Sequence, residues 1–194
     1  MINKYLLLLA VAGVWLTSTD LHAQTSTWKI DPGNSSVSFQ VRHLGISTVR
    51  GNISGVNGTI LLNEKDLTNS SVSATAESST VTTGNDNRDK HLKSDEFFDV
   101  TKNTTLQFKS TSLTNSNGHM KLNGDLTLAG VTRPVTLDLD GPSTPLTDRG
   151  VVKSGFSATG TLSRKAFNFG QSSPLNTAIS DDVKFTIDVE IDKQ

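Results

Sequence analysis

The stretch Ser36-Val37-Ser38-Phe39-Gln40-Val41-Arg42 alternates polar and apolar residues without a break. Successive side chains of a strand point to opposite faces. Val37, Phe39 and Val41 therefore share one face, and the serines and Gln40 share the other. This is the pattern of a half-buried strand with one side toward a core.

The same period recurs along the chain on both sides of one interruption. Residues 49–62 read as a second, longer strand whose apolar set changes phase, from Val49 and Ile53 to Val56, Ile60 and Leu62. The change falls at Gly55 and predicts a bulge there. Val72, Ala74 and Ala76 mark a third strand, and Leu106 and Phe108 begin a fourth. Asn117-Gly118 is a hairpin turn signal, followed by a fifth strand with Met120, Leu122, Leu126 and Leu128 on one face. Residues 131–139 form a sixth, closed by Asp140-Gly141-Pro142. Phe156, Ala158, Gly160 and Leu162 mark a seventh, and Val183, Phe185, Ile187, Val189 and Ile191 an eighth. One-sided strands in this number, joined mostly by short turns, imply a barrel or a sandwich. Small residues share the apolar faces (Gly51, Ala74, Ala76, Gly124, Ala158 and Gly160). They either leave room in the interior or relieve crowding at bends.

The interruption is GNDNRDKHLKSDEFFDV, residues 84–100, charged and helix-prone with two adjacent phenylalanines near its end. If the strands run up and down in order, it connects the third to the fourth and lies at one rim. The long 165–181 connection, between the seventh and eighth, lies at the same rim. The stretch is thus predicted as a short helical lid over a barrel mouth. Asn85 or Asn87 would cap the helix. Phe97 and Phe98 would plug the interior while Arg88, Asp89, Lys90 and Lys93 stay wet. Parity also turns His43, Arg133 and Arg164 inward at this rim. An inward basic residue needs a partner, because an unpaired buried charge is costly. Acids such as Asp89, Asp95 or Asp181 would serve, and so would the head group of a ligand.

The N-terminal MINKYLLLLAVAGVWLTSTDLHAQ has one lysine, an apolar run from Tyr5 to Leu16 and a polar stretch ending in Leu21-His22-Ala23. This reads as a signal peptide, residues 1–23, cut near Ala23. The run is shorter than the ~20 residues of a membrane-spanning helix. Residues 24–194 remain as a single domain, periplasmic or secreted. The chain has 194 residues and a net charge of −1, which argues against a nucleic-acid partner. It has no cysteine, so neither disulfides, thiol chemistry nor cysteine-bound metal enter.

Several blocks together resemble the YceI-like family of exported, polyisoprenoid-binding bacterial proteins. They are Trp28-Lys29-Ile30-Asp31-Pro32, VSFQVRHLGISTVRG (37–51), NRDKHLKSDEFFDV (87–100), GDLTLAGVTRPV (124–135), GFSATGTLSRKAFNFG (155–170) and DDVKFTIDVEID (181–192). The resemblance covers nearly all of residues 24–194, in order. It implies an all-β, eight-stranded antiparallel up-and-down barrel, lipocalin-like, with the lid between the third and fourth strands. It also implies a bound isoprenoid quinone, polyprenyl lipid or fatty-acid-like ligand in the interior. Positions matching the family's motifs are Arg42, His43, Arg50, Gly51, Arg88, Asp89, His91, Leu92, Phe97, Phe98 and Arg164. The chain departs from the family at Asn34-Ser35, where His-Ser is frequent, and at Asn103-Thr104, where Tyr-Pro is frequent.

A long apolar ligand needs apolar walls, each buried methylene contributing about 0.8 kcal/mol, with hydrogen bonds at the mouth selecting the head group. Wall candidates are Phe39, Val41, Ile53, Phe108, Leu126, Phe156 and Leu162, with Phe97, Phe98 and Phe167 near the opening. Mouth candidates are His43, Arg88, His91, Arg133 and Arg164. No catalytic or metal residues and no required cofactor are expected. Beyond the leader only His43, His91 and His119 remain, without zinc spacing. Asp95 and Glu96 are neighbours in sequence, which does not make an acid–base pair across a cleft. The expected partner is a hydrophobic lipid, with no nucleic acid and no stable membrane span; a homodimer is left open. The rival reading is a β-sandwich interaction module without a small-molecule ligand, though it lacks the Cys…Trp…Cys framework of immunoglobulin domains.

Overall fold

The computed structural model describes residues 25–194, so the signal peptide expected over residues 1–23 lies outside the described residues. Eleven strands and one α-helix follow in chain order: β1 (Thr25–Ile30), β2 (Ser36–His43), β3 (Ser47–Ile53), β4 (Asn57–Asn63), β5 (Ser71–Glu77), α1 (Asp86–Leu92), β6 (Thr105–Ser116), β7 (His119–Leu128), β8 (Val131–Asp140), β9 (Leu146–Asp148), β10 (Val151–Ser163) and β11 (Ile179–Lys193). Every ladder is antiparallel.

The strands close as a barrel of eight staves. β1 and β2 are two halves of the first stave, and both pair with β11: Ile30 faces Ile191, and Ser36 faces Asp188. The loop between them stays attached, since Asp31 N donates to Glu190 O and Glu190 N to Ser35 Oγ. β3 and β4 are likewise two halves of the second stave, Ile53 facing Val37 and Ile60 facing Trp28. The remaining staves are β5, β6, β7, β8, β10 and β11, and the β10–β11 ladder completes the ring. Closure overturns the sandwich alternative.

Three sequence expectations need correction. The 49–62 segment is broken into β3 and β4, with Gly55 between them at φ 66°. The phase change at this glycine is real, and it breaks the stave. β1 adds a strand that the period-2 reading left out; its Trp28 and Ile30 are buried in the core. Asp89, expected to be wet, is buried.

The ladder of the second stave opens toward the lid rim. β4 pairs with β5, but β3 diverges from it and meets residue 82 instead: Asn52 N donates to Thr82 O, and Thr82 N to Asn52 O. The lid thus fills the seam that β3 leaves. Asn85 caps α1 by accepting from Arg88 N at 3.0 Å. On the opposite rim a 3₁₀ turn, Leu67–Asn69, is capped by Asp66, which accepts from Thr68 N.

The inward glycines have a specific function. A Cβ on Gly51 would lie 2.3 Å from Phe39 Cζ, on Gly124 2.4 Å from Phe108 Cζ, and on Gly160 2.7 Å from Phe185 Cζ. Phe39 and Phe185 sit directly across the ladder from their glycines, and Phe108 sits on the diagonal. Each ring lies over a glycine in the neighbouring strand, so the room the glycines leave is taken by phenylalanine along the wall. Gly124→Val would drive the Phe108 ring off the wall. A loss of about 1–3 kcal/mol is expected, read as a lowered urea midpoint with unchanged slope.

Candidate functional site

Inside the barrel lies a cavity of about 650 Å³. Every ligand candidate named from the sequence lines it except Arg133 and Phe167. The wall takes Phe39, Val41 and Ile53 from the first two staves, Phe108 and Leu126 from β6 and β7, and Phe156 and Leu162 from β10. Phe185 and Ile187 of β11, Leu137 of β8 and Leu92 of α1 also line it. Strand parity marks the inward face of β8 and β11, so those side chains were within reach of the sequence. Phe169 also lines the cavity, and sequence reasoning missed it because it lies in a loop with no period.

Phe97 and Phe98 arrive from the lid and are both buried. Each meets Phe169 edge to face, with centroids 5.4 and 4.8 Å apart. His91 meets Phe97 the same way at 5.1 Å. Gly170, at φ 67°, brings its backbone against the Phe97 ring, where a Cβ would come within 2.5 Å. The two long connections of this rim are thereby clasped through aromatic contacts, a geometry worth about 0.5–1.5 kcal/mol per pair beyond burial.

Polar lining groups lie at both rims: Ser70 and Ser71 at the rim opposite the lid, and a larger set at the lid rim. His43 and Ser47 come from the β2–β3 hairpin, and Thr83, Asn87, Arg88 and His91 from the lid. Arg88 donates through Nε to Thr83 Oγ1 at 2.7 Å and through Nη2 to Thr83 O at 3.1 Å. His91 Nε2 lies 2.7 Å from Glu96 Oε2. That hydrogen bond, and another from Ser173, hold the Glu96 carboxyl below its ordinary value.

Arg164 has a different task from the one parity suggested. It is 1 % exposed, yet no acid receives its hydrogen bonds. Its guanidinium donates to the carbonyls of Ser180, Phe169, Asn176 and Ile179 at 2.6–3.1 Å. Burial pulls it below its ordinary pKa, with the charge of Asp181 acting the other way. It organises the connection between β10 and β11 from within, and four of its five N–H groups are committed. Arg133 has the inward parity expected of it, facing Leu126 across the ladder, but it lies exposed at the rim. The β8–β10 ladder covers only Ser157–Thr159, and beyond it Arg133 Nε donates to Ala166 O across the opening at 3.1 Å. Phe167 is buried in the main core, outside the cavity lining.

Away from the cavity, oxygens of Asp31, Glu190 and Asp192 converge closely enough to hold a cation. The Lys153 ammonium already sits among them, 2.7 Å from Glu190 Oε1 and from Asp192 Oδ1. Hydrogen bonds to Asp192 and Glu190 raise its pKa.

A family profile described as a YceI-like domain matches residues 28–191. The chain belongs to the YceI-like family. It is 35 % identical to a UPF0312 protein of Serratia proteamaculans over 181 residues, covering 92 % of each chain. The YceI protein of Campylobacter jejuni, solved as a crystal structure, is 30 % identical with a TM-score of 0.68, covering 79 % of this chain and 90 % of that one. A polyisoprenoid binding domain from Saccharophagus degradans shares the fold, at TM-score 0.64 and 13 % identity, with coverage of 86 % and 98 %. The YceI-like barrel and lid expected from the motifs are thus present.

Asp89 ties the lid to the β3 seam. Its carboxylate accepts from Thr82 Oγ1 at 2.9 Å, from Thr83 N at 2.8 Å and from Thr83 Oγ1. Burial pushes its pKa up, but the hydrogen bonds from Thr83 and Thr82 and the charge of Arg88 outweigh burial and lower it. A carboxyl lowered in the folded state contributes stability above its unfolded pKa of about 3.9. That contribution is lost as pH falls through the folded-state value. Asp89→Asn should cost about 1–3 kcal/mol at neutral pH. The cost should shrink as pH falls below about 4, in urea titrations of both proteins at matched pH.

Proposed function

We propose that this chain is an exported binding protein that carries a long-chain isoprenoid, a quinone or polyprenyl, or a similar amphiphilic lipid in its barrel. The observation that carries this reading is the cavity of about 650 Å³, walled by phenylalanine and aliphatic side chains in the interior of the barrel. Small-molecule sites are typically about 300–1,000 Å³, mostly apolar, with a few polar groups that fix orientation. The name of the Saccharophagus degradans neighbour, a polyisoprenoid binding domain, agrees with this chemistry.

In this reading the tail runs down the barrel along Phe39, Phe108, Leu126 and Phe156. The head group sits at the lid rim against His43, Arg88 and His91. Among the described residues the Arg88 Nη1 donors have no acceptor, unlike its Nε and Nη2. Arg164, Arg133 and Phe167 support the rim. The protein acts by binding, without catalysis. Export follows from the leader, which would place the barrel in the periplasm or outside the cell. Among the described residues no helix is long and apolar enough to cross a membrane.

Protein purified from its own cell envelope, extracted with organic solvent and analysed by mass spectrometry, should yield one isoprenoid or related lipid species near one per chain. A blank extract, repeated after exposure to quinones, polyprenols and fatty acids, would sink the proposal. Ala74 lines the cavity opposite Phe108. Ala74→Phe should lower the extracted lipid severalfold while the circular dichroism of the β-barrel is retained.

A further inference from the structure

Ile46 and Leu44 are the most exposed large apolar side chains of the described residues, at 80 % and 60 %. They flank Gly45 at the tip of the β2–β3 hairpin. His43 and Ser47, the pair that closes this ladder, both line the cavity. The two apolar side chains therefore stand at the edge of the cavity mouth.

The tip is held in shape. Arg42 Nη2 donates to Gly45 O at 2.7 Å and Ile46 O at 2.9 Å, and its Nη1 to Thr48 Oγ1 at 2.8 Å. Leu44 N donates to Ala178 O at 2.7 Å, and Ile46 N to His43 O at 3.0 Å. Leu44 takes φ 52°, a left-handed conformation unusual for leucine. A braced loop that keeps two aliphatic side chains in water contributes nothing to the core.

The two strands that carry the tip hold positive charge only. Residues 36–53 contain Arg42 and Arg50 and no aspartate or glutamate. Lys184, Gln40 and Arg50 lie in one cross-strand row, all on the outer face. On the adjoining strand Asp182 is exposed, while Asp181 is engaged by Ser163 Oγ and Lys165 N. Apolar side chains projecting beyond a cationic band match an anionic bilayer: aliphatics for the acyl boundary, cations for the phosphates.

We propose that the β2–β3 tip is a membrane-docking prong that sets the cavity mouth against an anionic lipid surface. Leu44 and Ile46 enter the interface, and Arg42, Arg50 and Lys184 meet the phosphates. Its purpose, loading and unloading the cavity, rests on the lipid-carrier reading, although its test does not.

The test is flotation of the purified full chain with phosphatidylcholine vesicles, with and without phosphatidylglycerol. The protein should float with the anionic vesicles and be released by salt. Leu44→Asn with Ile46→Ser should lower binding roughly tenfold or more, the scale of withdrawing two aliphatic side chains from the interface. Asparagine is chosen because it tolerates the left-handed backbone. Arg50→Gln with Lys184→Gln should weaken binding to the anionic vesicles and leave circular dichroism unchanged. Wild-type protein that stays free of vesicles overturns the proposal, as does equal flotation of the Leu44/Ile46 variant. A wild-type dimer dispersed by that variant also overturns it, assigning the tip to a contact between chains. A blank lipid extract alongside tip-dependent flotation removes the carrier reading and leaves the docking prong standing.

Discussion

Three phenylalanine rings laid over three glycines allow the centre of this barrel to stay open. An eight-stranded barrel is ordinarily just wide enough for its own side chains to fill. Here Phe39 covers Gly51, Phe108 covers Gly124 and Phe185 covers Gly160. Each ring takes space that a neighbouring side chain would have occupied, and lies along the wall. The interior gains apolar surface without losing all of its volume. An open apolar interior forfeits packing energy, which an apolar occupant would restore.

The open interior places demands on the rims. At the lid rim the wall splits in two places, between β3 and β5 and between β8 and β10, because the ladders stop short. Each split is bridged by hydrogen bonds from irregular segments: Thr82 to Asn52 at the first, Arg133 to Ala166 at the second. Behind these bridges stand two buried charged groups, Asp89 and Arg164, each satisfied by hydrogen bonds from or to the chain around it. Charged side chains at a mouth invite a ligand-contact reading. Both are committed to the chain around them, Arg164 while also lining the cavity, and His43, Ser47, Thr83, Asn87, Arg88 and His91 are the other polar groups facing the cavity from this rim.

The barrel was legible because period-2 alternation is strong in β2, β7, β10 and β11, and because the 84–100 segment breaks it so plainly. Gly55 announced its irregularity through the change of phase between Ile53 and Val56. β1 was harder to read: Thr25–Ile30 is six residues long, with only Trp28 and Ile30 turned inward before Pro32. Its strand character depends on β4 and β11, which lie far away in sequence. β9 is three residues long and exposed throughout, so no pattern could mark it. Phe167 and Phe169 share parity within one loop, yet the first packs into the core and the second faces the cavity, since a loop carries no fixed period.

Alternation by itself determined which side chains turn inward, because side-chain parity is a local property of a pleated backbone. The sequence also determined that one charged, aromatic segment would lie outside the strand pattern, and its motifs identified the family. Only the tertiary structure decided what inward means at each position. Phe39 and Arg164 both face in, but one covers a glycine and the other donates to carbonyls. Arg133 faces in and still reaches water, because its ladder ends beneath it. Closure of the ring, the ends of the ladders and the fit of rings to glycines are relations between distant strands, and no local period encodes them.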